Sequence, residues 1–160
     1  MPDYRVDLVL VSDKNVLARH LQTYLAEHAV FSGRTPRDGV YEYPWFDDYW
    51  RNPDSCWPFW MRREEEFVAL AFVHLDDSDG RYELAEFFVA ERFRRQGLGD
   101  RFARDVIQRF HGDWKLHQVA ENIRAVAFWR HVLGDLADYV EGPLQRGDGV
   151  ERVEQRFVIP

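Results

Sequence analysis

Apolar residues predominate from Tyr4 to Val11 (YRVDLVLV), a run that predicts an opening strand. The spacing then changes. Val16, Leu17, His20, Leu21, Tyr24 and Leu25 recur at helical intervals, with Ser12 or Asp13 placed to cap a helix. The run SGRTPRDG, ending at Gly39, predicts a loop, and an aromatic–acidic stretch, VYEYPWFDDYW, follows from Val40 to Trp50. After a turn at Asn52-Pro53-Asp54-Ser55, two strands are expected over Trp57 to Arg62 and Glu66 to Leu75. The turn Asp76-Asp77-Ser78-Asp79-Gly80 leads into a fourth strand, Tyr82 to Val89. From Gly97 to Phe110 the chain reads as a helix: Leu98, Phe102, Val106 and Phe110 share one face, opposite Arg101, Arg104, Asp105 and Gln108. Gly112 is expected to stop it. A short strand, Trp114 to Val119, precedes a second amphipathic helix, Asn122 to Leu133. Gly142 and Pro143 suggest a loop, and Arg152 to Ile159 a last strand. Strands and helices mix throughout, which indicates an α+β or α/β class. No repeat, low-complexity tract or linker divides the 160 residues, so a single domain over 1–160 is expected.

Composition narrows the functions. Hydrophobic residues at 46% and charged residues at 31% fit a soluble globular chain. Aromatic residues at 16% require a ring-rich core or a ring-lined pocket. Twenty-one basic against 28 acidic side chains leave a net charge of −7, which opposes nucleic-acid binding and favours cationic substrates. Cys56 stands alone, so no internal disulfide forms, and a buried inert thiol is its simplest state. The N-terminus does not read as a signal peptide, and no apolar run is long enough to span a membrane; the cytoplasm is the default location. The six histidines show no paired spacing, so no metal site is expected.

The segment with the clearest chemistry is Arg94-Arg95-Gln96-Gly97-Leu98-Gly99, which follows a strand and opens a helix. Backbone N–H groups at a helix start lack partners within the helix and, with the helix dipole, attract phosphate oxygens. Glycine lets the backbone approach an anion closely. The run lacks the Lys-Ser/Thr pair of a Walker loop and the three spaced glycines of a dinucleotide fingerprint. By itself it reads either as a pyrophosphate cradle or as a solvated basic turn.

The longer run ELAEFFVAERFRRQGLGDRFARDV resembles the acetyl-CoA site of the GNAT superfamily of N-acetyltransferases. Arg94 stands five residues after Val89, as the family pattern asks, and Asn122, Ala125, Phe128 and Trp129 resemble the family's Asn-x-x-Ala-x-x-Phe-Tyr run. The resemblance implies an α+β GNAT fold: one mixed, mostly antiparallel sheet of six to seven strands flanked by helices, with splayed central parallel strands. It also implies acetyl transfer from acetyl-CoA to a primary amine by direct attack in a ternary complex. On this basis Phe87, Phe88 and Val89 pair with the pantetheine arm, and an amide of Phe87 or Val89 polarises the thioester carbonyl. Backbone N–H groups from Gln96 through Gly97, Leu98 and Gly99 to Asp100 hold the pyrophosphate, with Arg94 or Arg95 nearby. Asn122 bonds the pantetheine arm or holds the splayed strand ends; Ala125, Phe128 and Trp129 line the thiol end. A non-catalytic acetyl-CoA-binding module of the same fold is the alternative.

The resemblance offers two candidates for the proton-accepting carboxylate, Glu83 and Glu86. In a regular strand they point to opposite faces, so both serve one site only if the strand bulges. Trp129 departs from the family's tyrosine, the general acid toward the leaving thiolate; an indole cannot replace it, and Tyr139 is a substitute from the next segment. The acceptor pocket is expected in the aromatic–acidic stretch, where Tyr41, Tyr43, Asp47 and Asp48 combine rings with carboxylates suited to a cationic amine. The alternative there is an aromatic mini-core with hydrated aspartates. A homodimer is compatible with this reading; nucleic acid and membrane are not expected as partners.

Overall fold

The computed structural model describes residues 3–160. Seven strands form one sheet in the order β1-β2-β3-β4-β5-β7-β6: β1 (Tyr4–Leu8), β2 (Cys56–Arg63), β3 (Glu66–Asp76), β4 (Arg81–Val89), β5 (Gly112–Val119), β6 (Tyr139–Leu144) and β7 (Arg152–Ile159). All neighbours are antiparallel except β4 and β5, whose parallel pairing covers only Tyr82 to Leu84 against Trp114 to Leu116. Beyond Leu84 the two central strands separate. This is the mixed sheet with splayed parallel strands that the resemblance implies.

Helices cover both faces. On one side lie α1 (Lys14–Ser32) and the single-turn α2 (Asp48–Arg51); on the other, α3 (Leu98–Ile107) and α4 (Ile123–Leu136). Helix α1 buries Leu17, Leu21 and Leu25, the stripe predicted by its period. It packs with Tyr49, Trp60, Leu70, Phe72 and Phe88. Helix α3 buries Leu98, Phe102, Ala103, Val106 and Ile107 against β3 and β4, and α4 adds Val126, Trp129, Val132 and Leu133 to that core. Each fully buried side chain of this size contributes roughly 1.5–3 kcal/mol. The aromatic surplus is divided between the two cores.

Three local expectations are corrected. Strand β1 ends at Leu8, and Val11–Asp13 forms a 3-10 turn leading into α1. Helix α3 stops at Ile107, well before Gly112, which opens β5 at a φ of 136° that excludes most side chains. Gly142 and Pro143 lie within β6, an outer strand, where a proline needs no ladder N–H. Among the described residues no helix is long and apolar enough to cross a membrane.

Candidate active site

The turn after β4 has the geometry of an anion cradle. Arg95 takes a φ of 60° and Gly97 a φ of 77°, which turns the chain into α3. Among the described residues, the backbone N–H groups from Arg95 to Asp100 donate to no protein acceptor; the first amide to be paired is that of Arg101, to the Gly97 carbonyl. Successive free amides at a helix start are what a pyrophosphate requires. Gly99 brings α3 against the end of β4: a Cβ there would lie 3.3 Å from Val89 and 3.3 Å from Phe128. The Arg94 side chain braces the turn. It donates to the Val89 carbonyl at 2.8 Å and pairs with Glu27 of α1 at 2.8 Å. Arg95 and Gln96 are exposed, Gln96 donating to the Arg92 carbonyl, while Asp100 is held by Arg104. Leu98 and Phe88 are buried in the two cores.

A wedge opens between β4 and β5 where the two strands separate. Its cavity, about 110 Å³, is lined by the expected Phe87, Asn122, Ala125 and Trp129, and also by Ala85, His117 and Gln118. The β5-facing backbone of β4 beyond Leu84 has no strand partner there. Asn122 caps α4 by accepting from the Ala125 amide at 3.2 Å. Trp129 packs edge-on to Phe87 and Phe128. At the floor, Gln118 and Gln155 exchange hydrogen bonds of 2.7 and 3.0 Å, which joins β5 to β7 in a buried setting. Tyr139 lies on β6 and lines neither this cavity nor the next.

A second cavity, about 340 Å³, opens on the α1 face. Here the bulge settles the geometry of the two glutamates. Phe72 faces Glu86 while Val73 faces Leu84, so Ala85 is an extra residue in β4. The insertion cancels the alternation, and Glu83 and Glu86 line one cavity. Tyr43 and Asp48 line it too. Tyr41 does not: its backbone is clamped by Gln22. Asp47 is turned outward to Lys14 and Arg51.

Ala85 and His117 line both cavities, so the two meet at these residues. His117 Nδ1 lies 3.5 Å from Glu83 Oε1, and His74 Nε2 3.3 Å from Glu83 Oε2. Burial would raise the Glu83 carboxyl, but hydrogen bonds and charge from His117 and His74 hold it well below the carboxylate range. Glu83 is therefore an ionised anchor between two imidazoles. No sequence spacing reveals this trio, because β3, β4 and β5 contribute one residue each.

Glu86 behaves in the opposite way. Burial pushes its carboxyl up to about 8, against the attraction of Arg34 and a bond from Tyr24. Its Oε2 is buried without a partner, and Tyr24 reaches Oε1 at 3.5 Å. An unfolded glutamate ionises at about pH 4.3. Between that pH and about 8 the folded chain keeps a proton that the unfolded chain has released, so stability falls as pH rises. Glu86→Gln is expected to flatten this slope, gaining on the parent by a few kcal/mol between pH 5 and 9. Denaturant melts at both pH values read the difference.

A protein-family model described as acetyltransferase (GNAT) family matches residues 19–134. No curated protein matches the chain by sequence. Among solved structures, a spermidine N-acetyltransferase from Vibrio cholerae, in complex with CoA and spermine, aligns with a TM-score of 0.63 at 15% identity. That alignment covers 97% of this chain and 95% of that one. An acetyltransferase from Thermus thermophilus aligns with a TM-score of 0.68 at 15% identity over 99% and 100% of the two chains. The ribosomal-protein-S18-alanine N-acetyltransferase of Escherichia coli gives 0.65 at 13% identity, over 98% and 94%. These likenesses concern the fold.

Proposed function

The chain belongs to the GNAT acetyltransferase family, and from that premise we propose that it transfers an acetyl group from acetyl-CoA to a primary amine at the junction of its two cavities. The observation that carries this reading is the meeting of wedge and acceptor cavity at Ala85 and His117, with the free amides of residues 95–100 at the outer end of α3. The residues present suit CoA: an amide cradle for a diphosphate, an unpaired strand edge for an extended arm, and a narrow aromatic end at Phe87 and Trp129.

When bound, acetyl-CoA supplies a thioester whose C–S bond breaks as the acceptor nitrogen forms its C–N bond. Backbone N–H groups of Phe87 or Val89 donate to the carbonyl oxygen as it gains charge. His117 takes the proton from the attacking nitrogen, oriented by the fixed carboxylate of Glu83 on its other side. Glu86, protonated at neutral pH, keeps excess negative charge out of the acceptor cavity. Trp129 closes the wedge without donating a proton to sulfur, and a thiol with an ordinary pKa of about 8.5 leaves tolerably unaided.

The test couples two measurements. Calorimetry should show micromolar or tighter binding of acetyl-CoA, and thiol release should depend on an added amine. Binding without amine-dependent release would make the protein a carrier of acetyl-CoA. No binding would remove the reading altogether.

A further inference from the structure

The acceptor cavity carries charge of both signs, unevenly paired. Arg34 follows Gly33, whose left-handed backbone ends α1. Among the described residues its guanidinium meets no carboxylate, and its one hydrogen bond is a 3.5 Å contact to the Glu42 carbonyl. Arg146, from the loop between β6 and β7, has only Glu83 Oε1 at 3.7 Å. Arg104, Arg130 and Arg152, by contrast, each grip a carboxylate with two nitrogens. Both under-paired guanidiniums line the cavity, and both act on the Glu86 carboxyl. Asp48 and the Glu83 anion line the same cavity. A ligand carrying both an ammonium and a carboxylate therefore matches its charges better than a polyamine, which is cationic at each nitrogen and offers nothing to the two guanidiniums. A guanidinium fork without a partner is suited to a carboxylate, which it binds through parallel N–H···O bonds.

We propose that the acceptor is a free α-amino acid whose carboxylate is received by Arg34 and Arg146. Its amine then points to Ala85 and His117, and its side chain packs on Tyr43, Trp45 and Tyr49, which line the same cavity. At about 340 Å³ the space lies at the lower end of small-molecule sites and holds one residue-sized ligand. This inference rests on the acetyl-transfer reading and narrows it: the anionic group of the acceptor is recognised as well as its nitrogen.

The experiment compares the standard α-amino acids, their α-carboxamides and their decarboxylated amines, with thiol release and product mass as readouts. For at least one side chain, the amino acid should exceed both partners at least tenfold in kcat/KM. Arg34→Met and Arg146→Met should each shrink that ratio toward one, and the corresponding lysine variants should restore part of it. Carboxamides or decarboxylated amines acetylated as well as the acids would overturn the proposal and leave acetyl transfer standing. If no compound releases thiol, calorimetry decides. Amino-acid binding to the acetyl-CoA complex, lost in Arg34→Met, keeps the recognition while the transfer reading falls. A complex that binds no amino acid removes this proposal, and acetyl-CoA binding with amine-dependent thiol release decides the transfer reading separately.

Discussion

His117→Asn is expected to lower kcat at least a hundredfold while the acetyl-CoA dissociation constant stays within about threefold. A positioned proton acceptor contributes roughly 10²–10⁴ in rate. His117 is the titratable side chain shared by the two cavities. Its partner, Glu83, is only 8% exposed and so tightly held as an anion that it is a weak base by itself. Glu83→Gln should therefore lose less than His117→Asn, through a misoriented imidazole, and the double variant should be no worse than His117→Asn alone. Stopped-flow thiol release separates the chemical step from product departure. A single-turnover rate for His117→Asn within threefold of the parent would remove the histidine from the mechanism and return the proton to a carboxylate.

The sequence was most informative where the chemistry is local. The segment from Tyr82 to Asp100 carries strand, turn and helix start in one continuous run, so its spacing locates the turn, and the family resemblance is what singles it out as a candidate cradle. Asn122 and Ala125, three residues apart, close a helix cap within one turn, a local contact that the sequence reading did not assign to them. The proton path is a different matter. His74, Glu83 and His117 meet through the register of three strands, and Ala85 as an inserted residue then brings Glu86 to the same cavity. A one-residue insertion reverses which side chains share a face, and no local pattern in ELAEFF marks it. Arg34 and Arg146 were hidden for a similar reason, since each belongs to a loop whose path is set by packing far along the chain. Asp47 and Asp48 show the limit in the other direction. Adjacent and chemically alike, they are divided by the start of α2, which aims Asp48 at the cavity and gives Asp47 to Lys14.

Gly99→Val is expected to weaken acetyl-CoA binding tenfold or more, equivalent to about 1.4 kcal/mol. The argument is steric. Two contacts of 3.3 Å await a Cβ at this position, one from Val89 at the end of β4 and one from Phe128 on α4. A valine adds two methyl groups to a space that one carbon already crowds, so α3 must move away from β4. The free amides of residues 97 to 100 move with it, and Arg95, a side-chain-bearing residue already at a φ of 60°, leaves the turn little freedom to compensate. Overpacking of this kind costs roughly 1–3 kcal/mol of stability, so a fall in Tm of several degrees should accompany the loss of affinity. Gly134→Ala supplies the control. It lies within α4 with open space around it, and there a methyl group should raise helix stability and leave acetyl-CoA binding unchanged. Calorimetric titration of acetyl-CoA into the two folded variants reads both effects. A Gly99→Val protein that binds acetyl-CoA as tightly as its parent would show that the pyrophosphate does not depend on the approach of α3 to β4.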